Sequence, residues 1–160
     1  MTVEQFANFA EIIGVVLVIA SLVYVAQQLR QNTDMMRVSA SNERVKREFD
    51  IVANLLDSRN LAEVWVKGGK QFDALDEVDQ QRAIFFEYRA ISVWHQEFQL
   101  RQQNLTLDAN WHSNEWLIQN IGRRQAVREA WVIFKKSYEK PFQEYIDRQF
   151  EIADGIVSGD

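Results

Sequence analysis

The first part of the chain is one long apolar stretch, whereas the rest mixes apolar and polar residues at helical spacing. Between Phe6 and Ala26 the polar residues are Asn8, Glu11 and Ser21. A helix of about twenty such residues spans the hydrocarbon of a bilayer. We therefore predict a transmembrane helix over residues 1–30, with a buried helix of a soluble protein as the alternative. A cleaved signal peptide is disfavoured, because no Lys or Arg precedes the apolar run.

The distribution of basic residues predicts the orientation of this helix. Residues 1–29 contain no Lys or Arg, whereas residues 30–47 contain five, the first two being Arg30 and Arg37. Basic residues that flank a membrane helix stay on the cytoplasmic side. We therefore expect a single-pass protein with its N-terminus outside and its C-terminal domain in the cytoplasm. Tyr24, Arg30 and Arg37 are then expected near the inner membrane interface.

Small and polar residues recur on one side of the predicted membrane helix. Ala7, Gly14, Ser21 and Gln28 lie seven residues apart, and Ala10 forms a small-xxx-small pair with Gly14. In lipid, such residues permit close backbone approach and hydrogen bonds between helices. We interpret this stripe as a surface for self-association into a homo-oligomer. Docking onto another membrane protein and a monomeric anchor in the lipid bilayer are the alternatives.

Glu11 is the carboxylate within the apolar stretch. A charged residue inside a membrane is unfavourable and usually functional. The favoured interpretation is an interfacial Glu near a helix N-terminus, where the helix dipole stabilises negative charge. Pairing with a partner protein is a second interpretation. A third is a small homo-oligomeric channel, with its pore lined by Glu11, Ser21 and Gln28.

Beyond residue 30 the apolar residues recur at the spacing of amphipathic helices. No Pro or Gly interrupts residues 15–67, so the first helix is expected to continue beyond the membrane. Its weakest point is expected at Asn32-Thr33-Asp34. Farther along, it carries an apolar stripe formed by Val45, Phe49, Val52, Ala53 and Leu56. Turn and capping signals predict further helices over about 61–67, 76–103, 108–121, 123–140 and 141–154. The predicted fold is all-α: an N-terminal transmembrane helix that continues into a long helix, a cytoplasmic helical bundle over residues 31–154, and a flexible tail over residues 155–160.

Five of these boundaries depend on specific residues. Asp76 and Asp108 are predicted to cap helices, and Gly68-Gly69 is predicted to stop the short helix. Gly122 is predicted to follow a helix in the C′ position, and Pro141 to lie in the first turn of the last helix.

Composition excludes several classes of function. The chain has no Cys, which excludes disulfides, iron–sulfur clusters and Cys nucleophiles, and its net charge of −5 argues against a nucleic-acid partner. His95, His112 and Glu115 are the candidate metal or catalytic residues. The order of His112 and Glu115 reverses the Glu-x-x-His pairs of helical di-iron sites, and no second pair exists. We therefore predict no catalytic residues, no metal, no cofactor and no enzymatic activity.

A group of three arginines near the fifth predicted helix has two interpretations. Arg123, Arg124 and Arg128 lie in or near its first turn, where positive charge opposes the helix dipole. Either an external anion compensates them, or they pair with acidic residues such as Glu129 or those of a neighbouring helix. The second interpretation is favoured because such pairs are common on bundle surfaces.

One segment of the sequence resembles a segment of other proteins. Residues 14–33, GVVLVIASLVYVAQQLRQNT, resemble the start of a broad set of uncharacterised bacterial membrane proteins, whose pattern is matched here by Gly14, Ser21, Leu22, Val23, Tyr24, Gln28, Arg30, Asn32 and Thr33. The resemblance implies a bacterial inner-membrane location and supplies no activity. Together, these observations favour a membrane-anchored, self-associating scaffold or interaction protein, with the small channel as the alternative function.

Overall fold

The computed structural model describes the backbone of residues 3–155, together with the side chains of Asn8 and of residues 10–155. Within that range the chain is all-α and contains no strand. The six α-helices are α1 (Val3–Asp57), α2 (Arg59–Lys70), α3 (Glu77–Gln102), α4 (Asp108–Ile121), α5 (Gln125–Phe134) and α6 (Lys140–Ala153). Short 3₁₀ turns lie at Phe72–Ala74 and Lys135–Ser137. The predicted fold class, a long apolar N-terminal helix followed by further helices, is confirmed.

Local signals explain most of the helix ends. The carboxylate of Asp76 accepts a hydrogen bond of 2.8 Å from the backbone N–H of Asp79, which caps α3 as predicted. Ser58 caps α2 in the same way through the N–H of Leu61. Pro141 lies in the first turn of α6, where its missing N–H leaves no helical hydrogen bond unmade. The prediction that Asp108 caps a helix was wrong: Leu107 is the N-cap of α4, and Asp108 is the first helical residue.

Two predictions about glycines were wrong. Helix α2 continues through Gly68-Gly69, because Gly68 packs closely: a Cβ added there would lie 3.3 Å from the Cβ of Ala83 and 3.4 Å from that of Ala126. Gly122 has φ −61° and is therefore right-handed. A Cβ at that position would lie 2.6 Å from the Phe150 ring, so close approach explains the glycine. Asn32-Thr33-Asp34 leaves α1 unbroken.

The chain divides into two compact units, Met1–Ser39 and Ala40–Asp160. The first unit consists of the N-terminal part of α1. The second contains the rest of α1 and helices α2–α6, and it holds the hydrophobic core. Trp94, Ile118, Val127, Phe142 and Ile146 are at most 1% exposed, and aromatic rings such as Trp131, Tyr138 and Phe142 pack edge to face or stacked around them.

Candidate functional site

The N-terminal part of α1 presents a continuous apolar surface, here called the apolar segment (residues 12–29). It is the one helix in the described part of the chain that is long and apolar enough to cross a membrane. Its large hydrophobic side chains are each 45–64% exposed, and none of its most apolar stretch is buried. A helix that serves as the core of a soluble protein is mostly buried, so this exposure is the feature that needs an explanation.

The predicted association stripe lies open on this segment. Apart from its chain neighbours and the backbone of its own helix, no atom of the described residues lies within 4 Å of a Cβ added at Gly14, and Ala10 is exposed. Ala7 lies outside the residues whose side chains the structure describes. The polar members of the stripe are bonded along their own helix: the Ser21 hydroxyl donates to the Leu17 carbonyl at 2.8 Å, and the Gln28 amide donates to the Tyr24 hydroxyl at 2.8 Å.

These local hydrogen bonds explain how the segment tolerates polar groups. A hydroxyl that donates within its own helix carries no unsatisfied donor into an apolar environment. Its oxygen keeps lone pairs that can accept a hydrogen bond from a neighbouring helix. Ser21 therefore needs no partner to be stable in lipid, yet can still take one.

The remaining residues singled out from the sequence lie in or next to the apolar segment of α1. Glu11, Tyr24 and Arg30 are exposed, and Arg37 is half-buried and pairs with Asp34 at 3.4 Å. The Tyr24–Gln28 hydrogen bond orients both polar side chains at the predicted inner end of the segment. Tyr at such a position is typical of the membrane–water interface.

In the second unit, the last part of α1 contacts the bundle through polar groups. Arg44 is 5% exposed; its guanidinium donates to the Asn110 carbonyl at 2.9 Å and pairs with Glu48 at 2.9 Å. The Asn110 amide donates to the Ser41 hydroxyl at 3.0 Å. Arg47 lies 3.7 Å from the buried carboxylate of Glu97. This side of α1, a polar face, is the one that packs against the rest of the unit.

The apolar side of the same stretch points away from these contacts. We call Val45, Phe49, Val52 and Leu56 the outer face of α1; their side chains are 46–79% exposed. An amphipathic helix normally buries its apolar stripe and exposes its polar one. Residues 41–56 instead bury Arg44 and half-bury Arg47 and Ile51, while the outer face stays largely exposed. At the edge of the outer face, Val52 also borders a cavity of about 220 Å³ that Trp94 and Ile121 line.

Glu87 forms a buried ion pair that links three helices. Its carboxylate, 2% exposed, lies 3.2 Å from the Arg124 guanidinium. That guanidinium stacks 3.7 Å from the ring centre of Trp65 and donates to the Trp65 carbonyl. Burial raises the pKa of Glu87 above its ordinary value, and the opposing effect of Arg124 is smaller. The pair therefore connects α2, α3 and α5 as a structural feature.

Glu97 is the second buried carboxylate, on the same helix as Glu87. Burial raises its pKa, while Arg44 and Arg47 act in the opposite direction and Glu48 adds to the rise. One of its oxygens has no protein hydrogen-bond partner, and neither polar atom of the nearly fully buried Asn114 side chain has one. Buried polar groups usually find partners, so Glu97 and Asn114 are exceptions among the described residues.

The predicted metal and catalytic candidates lie apart in pairs. His95 contacts Glu139 at 2.8 Å and packs against the rings of Tyr138 and Phe142. His112 lies 3.6 Å from Glu115. Across the residues that the structure describes, no three His, Asp or Glu side chains come together as metal ligands would.

The three arginines separate in the structure. Arg124 pairs with Glu87, and Arg128 pairs with Asp154 at 2.8 Å and donates to the Gly122 carbonyl. Arg123 is exposed. For Arg124 and Arg128, pairing with acids of neighbouring helices is confirmed. Sequence reasoning missed Glu87 as the partner, because it lies 37 positions away; its only local signal is a carboxylate between Phe86 and Tyr88.

An open groove of about 660 Å³ lies between α2 and α3. Its wall combines apolar and basic side chains, among them Leu61, Val78, Phe85, Arg82 and Arg89. The groove is shallow and solvent-exposed, and it contains no pair of groups placed for catalysis.

Comparison with known protein-family models, with curated proteins and with solved structures finds no match for this chain.

Proposed function

We propose that this protein is a single-pass membrane protein of the bacterial inner membrane whose helical bundle is a cytoplasmic interaction module without catalytic activity. The observation that carries this proposal is that the apolar segment has no buried residue in its most apolar stretch, in a chain whose bundle already has its own core. The segment is not needed to complete that core. Its apolar surface therefore requires a solvent other than water.

The size of this surface makes the argument quantitative. A dozen large apolar side chains, each 45–64% exposed, present an area on the order of 1,000 Å², against roughly 300–600 Å² for the largest patch on a typical soluble monomer. Burying this area in hydrocarbon removes the unfavourable contact with water. The length also fits, since about twenty helical residues match the hydrocarbon thickness.

The orientation follows from charge. The five basic residues of positions 30–47, against none in positions 1–29, favour an outside N-terminus and a cytoplasmic bundle. The resemblance of residues 14–33 to bacterial membrane proteins supports the inner membrane as the location. The acidic bundle also fits a cytoplasmic domain that contacts proteins, since its net negative charge disfavours nucleic acid.

We further propose that copies associate through the stripe of Ala7, Ala10, Gly14, Ser21 and Gln28. Helices in lipid associate through close packing at small residues and through hydrogen bonds. The open surroundings of Gly14 leave room for a neighbouring backbone. The spare lone pairs of Ser21 offer an acceptor to that neighbour.

Membrane retention and topology can be tested together on the full-length chain. Since the chain has no Cys, the single variants Thr2→Cys and Asp57→Cys can be probed with a membrane-impermeant maleimide in intact spheroplasts. We expect the protein in the alkali-washed membrane pellet, with the Thr2→Cys variant labelled before lysis and the Asp57→Cys variant labelled only after lysis. Recovery in the aqueous fraction, or the inverse labelling, would contradict the proposal.

Association in the bilayer has its own test with a matched control. Gly14→Leu places bulk on the stripe, and Ala20→Leu adds bulk to the same helix away from it. We expect Gly14→Leu to lower the multimer fraction in mild detergent at least several-fold and Ala20→Leu to leave it unchanged. A monomeric wild-type protein would contradict self-association but not the membrane anchor.

The alternative function, a small homo-oligomeric channel, can be tested by measuring ion flux. The Glu11 side chain is exposed. The Ser21 hydroxyl and one N–H of the Gln28 amide donate along their own helix, so fewer donors are left to line a pore. Ion flux into liposomes that disappears on Glu11→Ala would favour the channel over the scaffold. Absence of flux at high protein density would remove it.

A further inference from the structure

The outer face of α1 is the largest feature of the second unit that the proposed function leaves unused. Val45, Phe49, Val52 and Leu56 alternate at spacings of four and three residues. This is the a/d pattern of a coiled-coil seam, in which apolar residues recur every 3.5 residues on average. The four side chains are 46–79% exposed. Val52 borders a cavity that Trp94 and Ile121 also line, but the described chain leaves most of the seam uncovered by a second helix.

The bundle cannot supply that second helix, because it occupies another side of α1. Arg44 and Arg47 reach the Asn110 carbonyl and the Glu97 carboxylate from the polar face. Turning α1 to bury the outer face would withdraw Arg44 from its buried position and leave Glu97 without a nearby cation. Any helix that covers the outer face must therefore come from another molecule.

We propose that the outer face of α1 packs against the same face of a second copy, forming a parallel, in-register pair of helices. The inference rests on the proposed function, because the membrane anchor is what makes the two copies parallel. In the sequence, Met35, Asn42, Phe49 and Leu56 continue the seven-residue spacing of Ala7, Gly14, Ser21 and Gln28. The same seven-residue spacing thus recurs in the sequence of both stretches.

Asn42 supports a parallel alignment. It is exposed and occupies the same heptad position as Phe49. A single polar Asn at such a position favours in-register pairing, because only then do the two amides meet and satisfy each other. The flanking positions also fit: a parallel pair places Ser41 opposite Lys46 and Glu48 opposite Ala53 of the other copy, so no like charges face each other.

The area of the outer face selects a tethered partner over a freely diffusing one. Its exposed part amounts to on the order of 400 Å² per copy, so a pair buries about 800 Å², below the roughly 1,200–2,000 Å² of stable independent complexes. Two copies held in one membrane already have a high effective concentration. A seam of this size is sufficient to pair two copies in one membrane, but it would bind a freely diffusing partner only weakly.

Cross-linking of the full-length chain in native membrane vesicles tests this pairing. Single cysteines at Val45, Phe49, Val52 and Leu56 are compared with matched controls at Glu43, Asp50 and Asp57, which are also exposed on α1. Under mild oxidation we expect at least fivefold more disulfide-linked dimer at the four seam positions than at the controls. Equal yields at all positions, or an adduct whose mass is not twice that of the chain, would overturn the pairing.

Two readouts on the same vesicles separate this inference from the proposed function. Gly14→Cys reports association in the bilayer, and alkali washing reports the anchor. Retained protein that cross-links at residue 14 but evenly over residues 43–57 would overturn the seam alone. Protein lost from the membrane on washing would overturn the anchor and, with it, the reason for parallel pairing.

Discussion

The apolar segment and the bundle are both rich in large hydrophobic residues, but they place them in opposite surroundings. In the segment every large apolar side chain from Ile12 to Leu29 is at least 45% exposed, whereas Ile91, Ile118 and Phe142 in the bundle are 0% exposed. The difference lies in patterning. Bundle helices carry a polar side that limits how they pack, whereas the segment is apolar over most of its circumference. A helix of the second kind is suited to hydrocarbon.

The largest expected effect comes from placing charge in the apolar segment. The double variant Val16→Arg/Ile19→Arg should lose membrane insertion, since each central Arg opposes it by about 2.5–3.5 kcal/mol. The matched control Val78→Arg/Val132→Arg adds the same charge at exposed apolar positions of the bundle and should stay in the membrane. Density flotation of cell membranes measures both. Equal retention of the two double variants in the membrane would contradict the proposed difference in surroundings between the apolar segment and the bundle.

Truncation of a core aromatic should give the next largest effect. Trp94 is 1% exposed and Trp116 is 65% exposed. Trp94→Ala should destabilise the bundle by about 3–5 kcal/mol through lost burial and a residual cavity, whereas Trp116→Ala should change stability by no more than about 0.5 kcal/mol. Urea unfolding in detergent micelles, followed by circular dichroism, measures the two. Similar losses of stability for both variants would contradict the burial of Trp94 in the core.

Two glycines allow the same substitution in both regions. Gly122→Ala forces a Cβ against the Phe150 ring and should destabilise the bundle by about 1–3 kcal/mol. Gly14→Ala meets nothing within 4 Å and should leave bundle unfolding unchanged. Thermal unfolding of the two variants checks this pair. A loss of bundle stability from Gly14→Ala would mean that the segment packs on the chain after all.

The smallest expected effect is a dependence of stability on pH that belongs to the bundle alone. Burial raises the pKa of Glu87 and Glu97 above the ordinary 4.5, so the folded state holds these protons more tightly than the unfolded state. Their contribution to stability is fully present below pH 4.5 and is lost as the pH rises through the folded pKa. Wild-type stability should therefore fall with rising pH relative to Glu87→Gln and Glu97→Gln. Unfolding at a series of pH values tests the sign; a relative rise would contradict it.

Local signals predicted most of the helices well, although the helix expected over residues 123–140 ends at Phe134 and is followed by a 3₁₀ turn at Lys135–Ser137. The Asp76 cap and the position of Pro141 depend on backbone groups one to three residues away, so the sequence alone contains what is needed. The length and apolarity of the first helix are equally local. The all-α fold could be predicted because these signals agree along the whole chain.

Features that depend on distant partners could not be predicted. Helix α2 passes through Gly68-Gly69 because Ala83 and Ala126 pack against Gly68, and nothing near the glycines in sequence indicates this. The apolar stripe at Val45, Phe49, Val52 and Leu56 was recognised, but its exposure depends on Arg44 and Arg47 reaching Asn110 and Glu97. Periodicity identifies a face, and only tertiary pairing decides which face is buried.

Single-cysteine scanning through α1 tests the central claim most directly. Each position from 10 to 57 is replaced in turn in the cysteine-free chain, and membrane vesicles are exposed to a charged maleimide with both faces accessible. We predict a block of about twenty consecutive unlabelled positions within residues 10–30, since a charged reagent does not enter hydrocarbon, and labelling at most exposed positions beyond it. Uniform labelling from residue 10 onward would contradict a membrane-spanning helix.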